Sequence, residues 1–335
     1  MSPPAPKVAL LGAGRMGQVH GRNAAANPRL DLTHVVDPDA EVAAALAAEL
    51  GCAVSGLDAA LADPALSGVI VATSTSTHLD VVLAALKAGK AVFCEKPLDL
   101  DLARLRAHAA ELARPARPLY VAFNKRFDPN YRALKARIAG GEIGSLETLQ
   151  LISHDPAPPP PAFIPTSGGL FRDFTIHDFD MARWLLDEPP TELFAWASSL
   201  VDASIAAAGD VDTARTLLRC ASGRLCVISN TRRSGYGYDQ RAEAYGSKGA
   251  AMMGDERIST LQTWTEAGAL AAPIHPGFQA RYAASYRAEL DHFADILAGE
   301  AEPLTGYQAS IDALALAEAA TRSVATGTPV KLADV

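Results

Sequence analysis

Short unbroken apolar runs alternate with helix-like segments over roughly the first 120 residues. Lys7–Leu11 is a compact apolar run that ends in glycine, and 14–26 has helical character. The β-branched run 32–36 is followed by the alanine-rich segment 39–50, with Asp39 placed to cap its start and Gly51 just past its end. Strands are then predicted at 69–72, Ala91–Cys94 and 119–123, separated by helices over 77–88, closed by Gly89, and over 101–113. The apolar runs lack polar alternation, as strands buried on both faces do. Strands alternating with helices predict a doubly wound parallel sheet covered on both sides.

The pattern changes after Phe123. Segment 129–139 reads as a helix ending at Gly140-Gly141, and 146–153 as a strand. The stretch Pro156-Ala157-Pro158-Pro159-Pro160-Pro161 suits neither a helix nor a central strand and reads as a stiff surface loop. A helix is predicted over Phe171–Leu186. Strand-like runs follow at 192–198, 214–220, 224–230 and 242–246, and then helices over 282–298 and 307–325. This half reads as an α+β domain on a large open, mainly antiparallel sheet. The expected division is residues 1–122 for the parallel-sheet domain and 123–335 for the α+β domain.

Composition narrows the function. The 335 residues are 49% hydrophobic, enough for two cores, and carry a net charge of −8. That balance argues against a nucleic-acid binder and against attraction to an anionic membrane surface. The four cysteines form no CxxC pair, and no apolar run reaches the ~18 residues of a membrane span. The expected compartment is the cytoplasm.

Gly12-Ala13-Gly14-Arg15-Met16-Gly17 fits G-x-G-x-x-G, follows a strand and opens a helix, as a dinucleotide-binding turn does. Asp37 ends the second strand, 20 residues past Gly17, where a carboxylate can accept from ribose hydroxyls. It would repel a 2′-phosphate, and no arginine follows immediately to receive one. The expected cofactor is therefore NAD, with a solvated turn residue as the plainer reading of Asp37. Cys94-Glu95-Lys96-Pro97 lies beyond a strand end, facing the crevice where such sheets bind ligands. Lys96 there could hold a substrate hydroxyl and favour its alkoxide; on spacing alone an exposed lysine at a strand end fits equally. Asp173 and His177 lie four apart on a predicted helix and share a face, with Asp180 continuing the stripe and Asp178 off it. Histidine suits removal of a hydroxyl proton near neutral pH, while a capping aspartate with a structural histidine is the bland alternative. Ligand spacing for a metal is poor, and no metal is expected.

The segments GAGRMG, Ala72–His78 (ATSTSTH) and FCEKP together resemble the family of glucose-fructose oxidoreductase, inositol dehydrogenase and MocA. Gly168–Asp180 (GGLFRDFTIHDFD), Phe123–Pro129 (FNKRFDP) and Arg232–Arg241 (RRSGYGYDQR) resemble its inositol dehydrogenase branch. The resemblance runs essentially the whole chain. It implies an N-terminal Rossmann domain and NAD-dependent oxidation of myo-inositol to 2-keto-myo-inositol. It implies Lys96, Asp173 and His177 as the catalytic group. It implies Gly12, Gly14, Arg15, Met16, Gly17, Asp37, Thr73, Ser74, Thr75, His78, Glu95 and Lys96 around the cofactor. Lys125, Arg126, Asp155, Asp173, His177 and Tyr236 or Tyr238 would meet the substrate. It also implies association of copies, commonly as tetramers, through the open sheet face. The stretch Ser153-His154-Asp155-Pro156 departs from some members, which carry histidine or arginine in that strand, and leaves the register of Asp155 open by a residue or two. Other inositol isomers or a pyranose sugar remain as substrates, and a non-catalytic nucleotide-binding regulator is the alternative from another class. His20, His34, His108 and His292 have no motif around them, and Trp184, Trp196 and Trp264 read as packing residues.

Overall fold

The computed structural model describes residues 4–113, 115 and 117–335. The chain divides into two compact units: 1–127 with 284–314, and 128–283 with 315–335.

In the first unit, β1 (Lys7–Leu11), α1 (Arg15–Ala26), β2 (Asp31–Val36), α2 (Ala40–Leu50), β3 (Ala53–Val54), α3 (Leu57–Ala62), β4 (Leu66–Val71), α4 (His78–Lys87), β5 (Ala91–Glu95), α5 (Leu102–Ala107), α6 (Ala109–Leu112) and β6 (Leu119–Ala122) follow one another. The strands form a six-stranded sheet, β3-β2-β1-β4-β5-β6, whose pairings are all parallel. Its central strands are buried on both faces, as their unbroken apolar runs require; Val8, Leu10, Ile70 and Phe93 are fully buried. Asp39 caps α2 by accepting from the Glu41 and Val42 amides, and Gly51 ends it in the left-handed conformation. The pair β3 and α3 is not legible in the sequence, because a two-residue exposed strand carries no periodicity. The segment expected as one helix over 101–113 is two, broken at His108.

The second unit contains α7 (Pro129–Ala139), β7 (Leu146–His154), α8 (Ile164–Ser167), a π-helical turn (Phe171–Thr175), α9 (Ile176–Leu186), β8 (Pro190–Ser198), α10 (Ala203–Ala207), β9 (Thr213–Cys220), β10 (Leu225–Thr231), β11 (Asp239–Gly246), β12 (Gly249–Met253), β13 (Gln262–Thr265), β14 (Gly268–Ala271) and α11 (Phe278–Arg281). After these come α12 (Ala283–Ala298), α13 (Tyr307–Thr326) and β15 (Val330–Lys331). The seven-stranded sheet runs β12-β11-β7-β10-β9-β8-β15. It is antiparallel except where β7 and β10 pair in parallel. One face is apolar and covered; β9 alternates buried and exposed along its length.

The late helix α12 belongs almost entirely to the first unit, because Leu290, Phe293, Ala294 and Ile296 join that unit's core beside Phe93 and Tyr120. A single cut after residue 122 therefore describes the chain order but not the packing. Two tryptophans expected to pack are exposed. Trp196 stands 66% exposed on β8, and Trp264 stands 71% exposed on the β13–β14 hairpin, a separate two-stranded sheet.

Candidate active site

A parallel sheet delivers the ends of all its strands to one edge, and the expected cofactor residues lie there. Gly12 follows β1 with φ +98°, and a Cβ on it would sit 2.4 Å from the Ala72 carbonyl oxygen. A Cβ on Gly17 would lie 2.0 Å from the Gly12 carbonyl oxygen, so α1 can approach the loop this closely only with glycine there. At Gly14 a Cβ would meet nothing within 4 Å. The N-terminus of α1 thus presents a bare backbone cradle, which fits a pyrophosphate. Arg15 is exposed beside it, and Met16 packs against the core.

Asp37 follows β2. Its Oδ2 accepts the Ala13 amide at 2.7 Å and its Oδ1 the Asp39 amide at 2.9 Å. These bonds orient the carboxylate against the glycine loop and leave lone pairs for a ribose diol. Thr73, Ser74 and Thr75 follow β4, where the Thr77 hydroxyl lies 2.9 Å from Thr73 Oγ1 and 2.8 Å from the Ser74 carbonyl. His78 is buried, with Nδ1 2.8 Å from the Pro97 carbonyl oxygen and Nε2 3.1 Å from that of Thr73. Its ring ties the β4 loop to the β5 turn, and burial pulls its pKa down.

Lys96 follows β5 and is half-buried, with a cis bond to Pro97. Glu95 is held as a carboxylate: burial raises its pKa, but the His20 hydrogen bond and the nearby charges of His20 and Lys96 bring it below the usual value. Lys125 and Arg126 occupy the 3-10 turn after β6; Lys125 is only 3% exposed, unlike a lysine on a solvated basic turn.

In the second unit the π turn runs directly into α9. Such turns are rare and concentrate at functional sites. Phe174, Thr175, Ile176, Asp178, Phe179 and Asp180 are buried, whereas Arg172, Asp173 and His177 reach partly to the surface. The face shared by Asp173 and His177 is therefore the accessible one. Asp178 points the other way, fully buried. It accepts from the Ser153 hydroxyl at 2.7 Å and the Asn230 amide at 2.8 Å, and the Thr175 hydroxyl bonds Asn230 Oδ1 at 2.9 Å. This network fastens α9 to β7 and β10. Asp180 is also buried, so it does not extend the accessible stripe.

Asp173 has a partner that sequence reasoning did not single out. Arg232, just past β10 and 2% exposed, places Nη2 3.4 Å from Asp173 Oδ2, with its guanidinium 5.9 Å over the Phe174 ring. The signal was present, because Arg232 opens the RRSGYGYDQR segment, but nothing in its spacing marked the first arginine.

Asp155 follows β7 and Arg232 follows β10, at the same edge because these strands are parallel. The Asp155 amide donates to the Thr231 carbonyl at 2.9 Å. The 236–239 segment enters the same edge from β11. Tyr236, whose ring is largely exposed, donates its hydroxyl to Asp239 Oδ2 at 2.6 Å, and desolvation of that hydroxyl together with the carboxylate pushes its pKa up to about 12. Asp239 also receives Arg241 at 2.7 and 2.9 Å and faces His154 Nδ1 at 3.5 Å. It is held far below the usual carboxylate range; burial opposes this, and the hydrogen bonds from His154, Arg241 and Tyr236 outweigh it. Tyr238 is buried, its ring edge-on to Tyr282. Among the described residues no group of three or more His, Cys, Asp or Glu side chains could hold a metal ion.

Two family models match the chain. The oxidoreductase family with an NAD-binding Rossmann fold matches residues 6–123, and the GFO/IDH/MocA C-terminal domain matches 131–252. The chain belongs to the GFO/IDH/MocA oxidoreductases. Its first domain is accordingly an NAD-binding Rossmann domain. An inositol 2-dehydrogenase of Rhizobium meliloti is 42% identical over 97% of this chain and 98% of its own. A scyllo-inositol 2-dehydrogenase (NAD(+)) of Bacillus subtilis is 36% identical over 97% and 96%. The crystal structure of a myo-inositol dehydrogenase from Corynebacterium glutamicum is 40% identical, covers 98% of this chain and 99% of its own, and superposes with a TM-score of 0.93. Within this family, the doubly wound sheet and the mostly antiparallel second sheet are as the sequence led one to expect.

Proposed function

We propose that this oxidoreductase oxidises myo-inositol to 2-keto-myo-inositol with NAD. The observation that carries the reading is the accessible face of the π–α junction, where Asp173, backed by buried Arg232, sits one turn from His177. The names of the relatives support the same substrate class. His177 removes the proton from the ring hydroxyl being oxidised, and Lys96 holds that oxygen as charge develops on it. Asp173 accepts from a neighbouring hydroxyl. Lys125, Arg126, Asp155 and Tyr236 or Tyr238 bond the remaining hydroxyls, a set dense in charged groups that suits a polyol. NAD, when bound, supplies the oxidant; the bare cradle at Gly14, with Gly12, Arg15, Met16, Gly17 and Asp37 and the loop residues 73–75, would hold it.

The Bacillus subtilis relative favours a second reading, scyllo-inositol as the preferred isomer with the same residues in the same roles. Initial rates with myo-inositol, scyllo-inositol and glucose against NAD and NADP decide between them. Myo-inositol with NAD is expected to give the highest kcat/KM, and NADH formation from glucose alone overturns the proposal. The role in inositol catabolism, the cytoplasmic setting and association into a tetramer or dimer belong to the same proposal. The open face of the second sheet carries exposed Trp196, Leu217, Leu225 and Val227, with Leu217 and Val227 directly paired across β9 and β10, an apolar stripe suited to a second copy. Light scattering reads the state.

A further inference from the structure

Two buried histidines bracket Lys96, and the mechanism above uses neither. His20 lies on α1 three residues after the last loop glycine and is fully buried. Its Nε2 is 2.6 Å from Glu95 Oε1, and the other oxygen of Glu95 accepts the Lys96 backbone N–H at 3.2 Å. The ring is wedged edge-on against Phe93 at 4.8 Å and Tyr286 at 5.7 Å, while Nδ1 is buried with no hydrogen-bond partner. Core packing alone does not account for this residue, since an apolar ring would fill the space without stranding a polar nitrogen. One residue past the lysine in the chain, the Pro97 carbonyl oxygen lies 2.8 Å from His78 Nδ1.

We propose that His20 is a positioning residue for Lys96: it orients the Glu95 carboxylate, and so ties the helix that opens at the glycine loop to the turn that carries the lysine. His78 fixes the other flank through Pro97. The inference rests on the assignment of Lys96 to the reaction. Without His20, Glu95 loses its hydrogen-bond partner inside the core and takes up a proton rather than remain a buried unpaired charge. A neutral acid is a weaker acceptor for the Lys96 amide, and the turn relaxes. A displacement of about 1 Å at a reacting group costs roughly 100-fold in rate.

The test compares wild type with His20→Ala, His20→Gln and Glu95→Gln in the full chain. In His20→Ala, kcat is expected to fall about 10- to 100-fold with KM for NAD within about threefold, because the cradle at Gly14 is untouched. His20→Gln, whose amide can still donate to Glu95, recovers most of the loss. A second readout is independent of turnover. Reductive 13C-methylation labels the lysines, and the Lys96 resonance is identified by its loss in Lys96→Arg. Its chemical shift at fixed pH is expected to differ from wild type in His20→Ala and in Glu95→Gln, and to return toward wild type in His20→Gln. A kcat for His20→Ala within twofold of wild type, or an unmoved Lys96 resonance, overturns the proposal. Should His20→Ala fail to fold, Glu95→Gln, which keeps the volume, decides by the same two readouts. Wild type that oxidises no polyol with either nucleotide defeats the functional reading instead, and the Lys96 resonance alone then judges His20.

Discussion

Glu289 on α12 makes a strong prediction because its environment is so unfavourable for charge. Its side chain is fully buried; Oε1 accepts the Tyr120 hydroxyl at 3.0 Å, and Oε2 has no partner. Burial, reinforced by the nearby Glu95 carboxylate, pushes its pKa well above the glutamate range. The folded chain therefore keeps this proton at pH values where the unfolded chain, with a glutamate pKa of about 4.3, has lost it. Native protein binds more protons than unfolded in that window, so stability falls as pH rises. The contribution is fully present below the unfolded pKa and is lost progressively toward the folded one. Its slope inside the window is about 1.4 kcal/mol per pH unit. Glu289→Gln keeps the shape and an acceptor for Tyr120 and removes the titration. The substitution should gain on wild type as pH rises through the window, by up to about 1.4 kcal/mol for each pH unit. Urea unfolding of both proteins between pH 5 and 8 measures this directly. Parallel pH profiles would refute the buried-proton account.

Three further outcomes follow from other contacts. Asp178→Ala removes the shorter acceptor of the Ser153 hydroxyl and of the Asn230 amide, leaving them Gln240 Oε1 at 3.1 Å and the Ser153 carbonyl at 3.5 Å, and should cost about 2 kcal/mol in chemical denaturation. Gly17→Ala places a methyl 2.0 Å from the Gly12 carbonyl oxygen, so the loop must shift; NADH binding followed by fluorescence should weaken by at least about tenfold. Asp37→Ser removes the carboxylate that faces the loop while keeping an acceptor for the Ala13 amide. The ratio of kcat/KM for NADP over NAD should rise by roughly tenfold or more, and an unchanged ratio would remove Asp37 from cofactor selection.

Parts of the site were legible in the sequence because they are local. A glycine at a crowded turn, an aspartate at a strand end and a lysine before proline each declare themselves within a few residues. The structure shows why Gly12 and Gly17 have no substitutes, and a resemblance between short segments sufficed to suggest the family. Arg232 and His20 were not legible. Arg232 reaches Asp173 from 59 positions away, and His20 reaches Glu95 from 75. Neither has a spacing that a one-dimensional pattern can carry. The π turn at Phe171–Thr175 was equally hidden, since an extra residue in a helical turn leaves the apolar stripe nearly intact.

The alternation of apolar runs and helical segments determined the doubly wound sheet by itself, because strands buried on both faces admit few sequences. It also determined the capped helices, whose signals lie within one turn. Tertiary structure decided that α12 completes the core of the first unit, that Trp196 faces outward and that Asp173 lies against a buried guanidinium. Those outcomes depend on which surfaces meet after the chain has doubled back. Burial and pairing between distant residues are properties of the packed molecule, and no single stretch of sequence contains them.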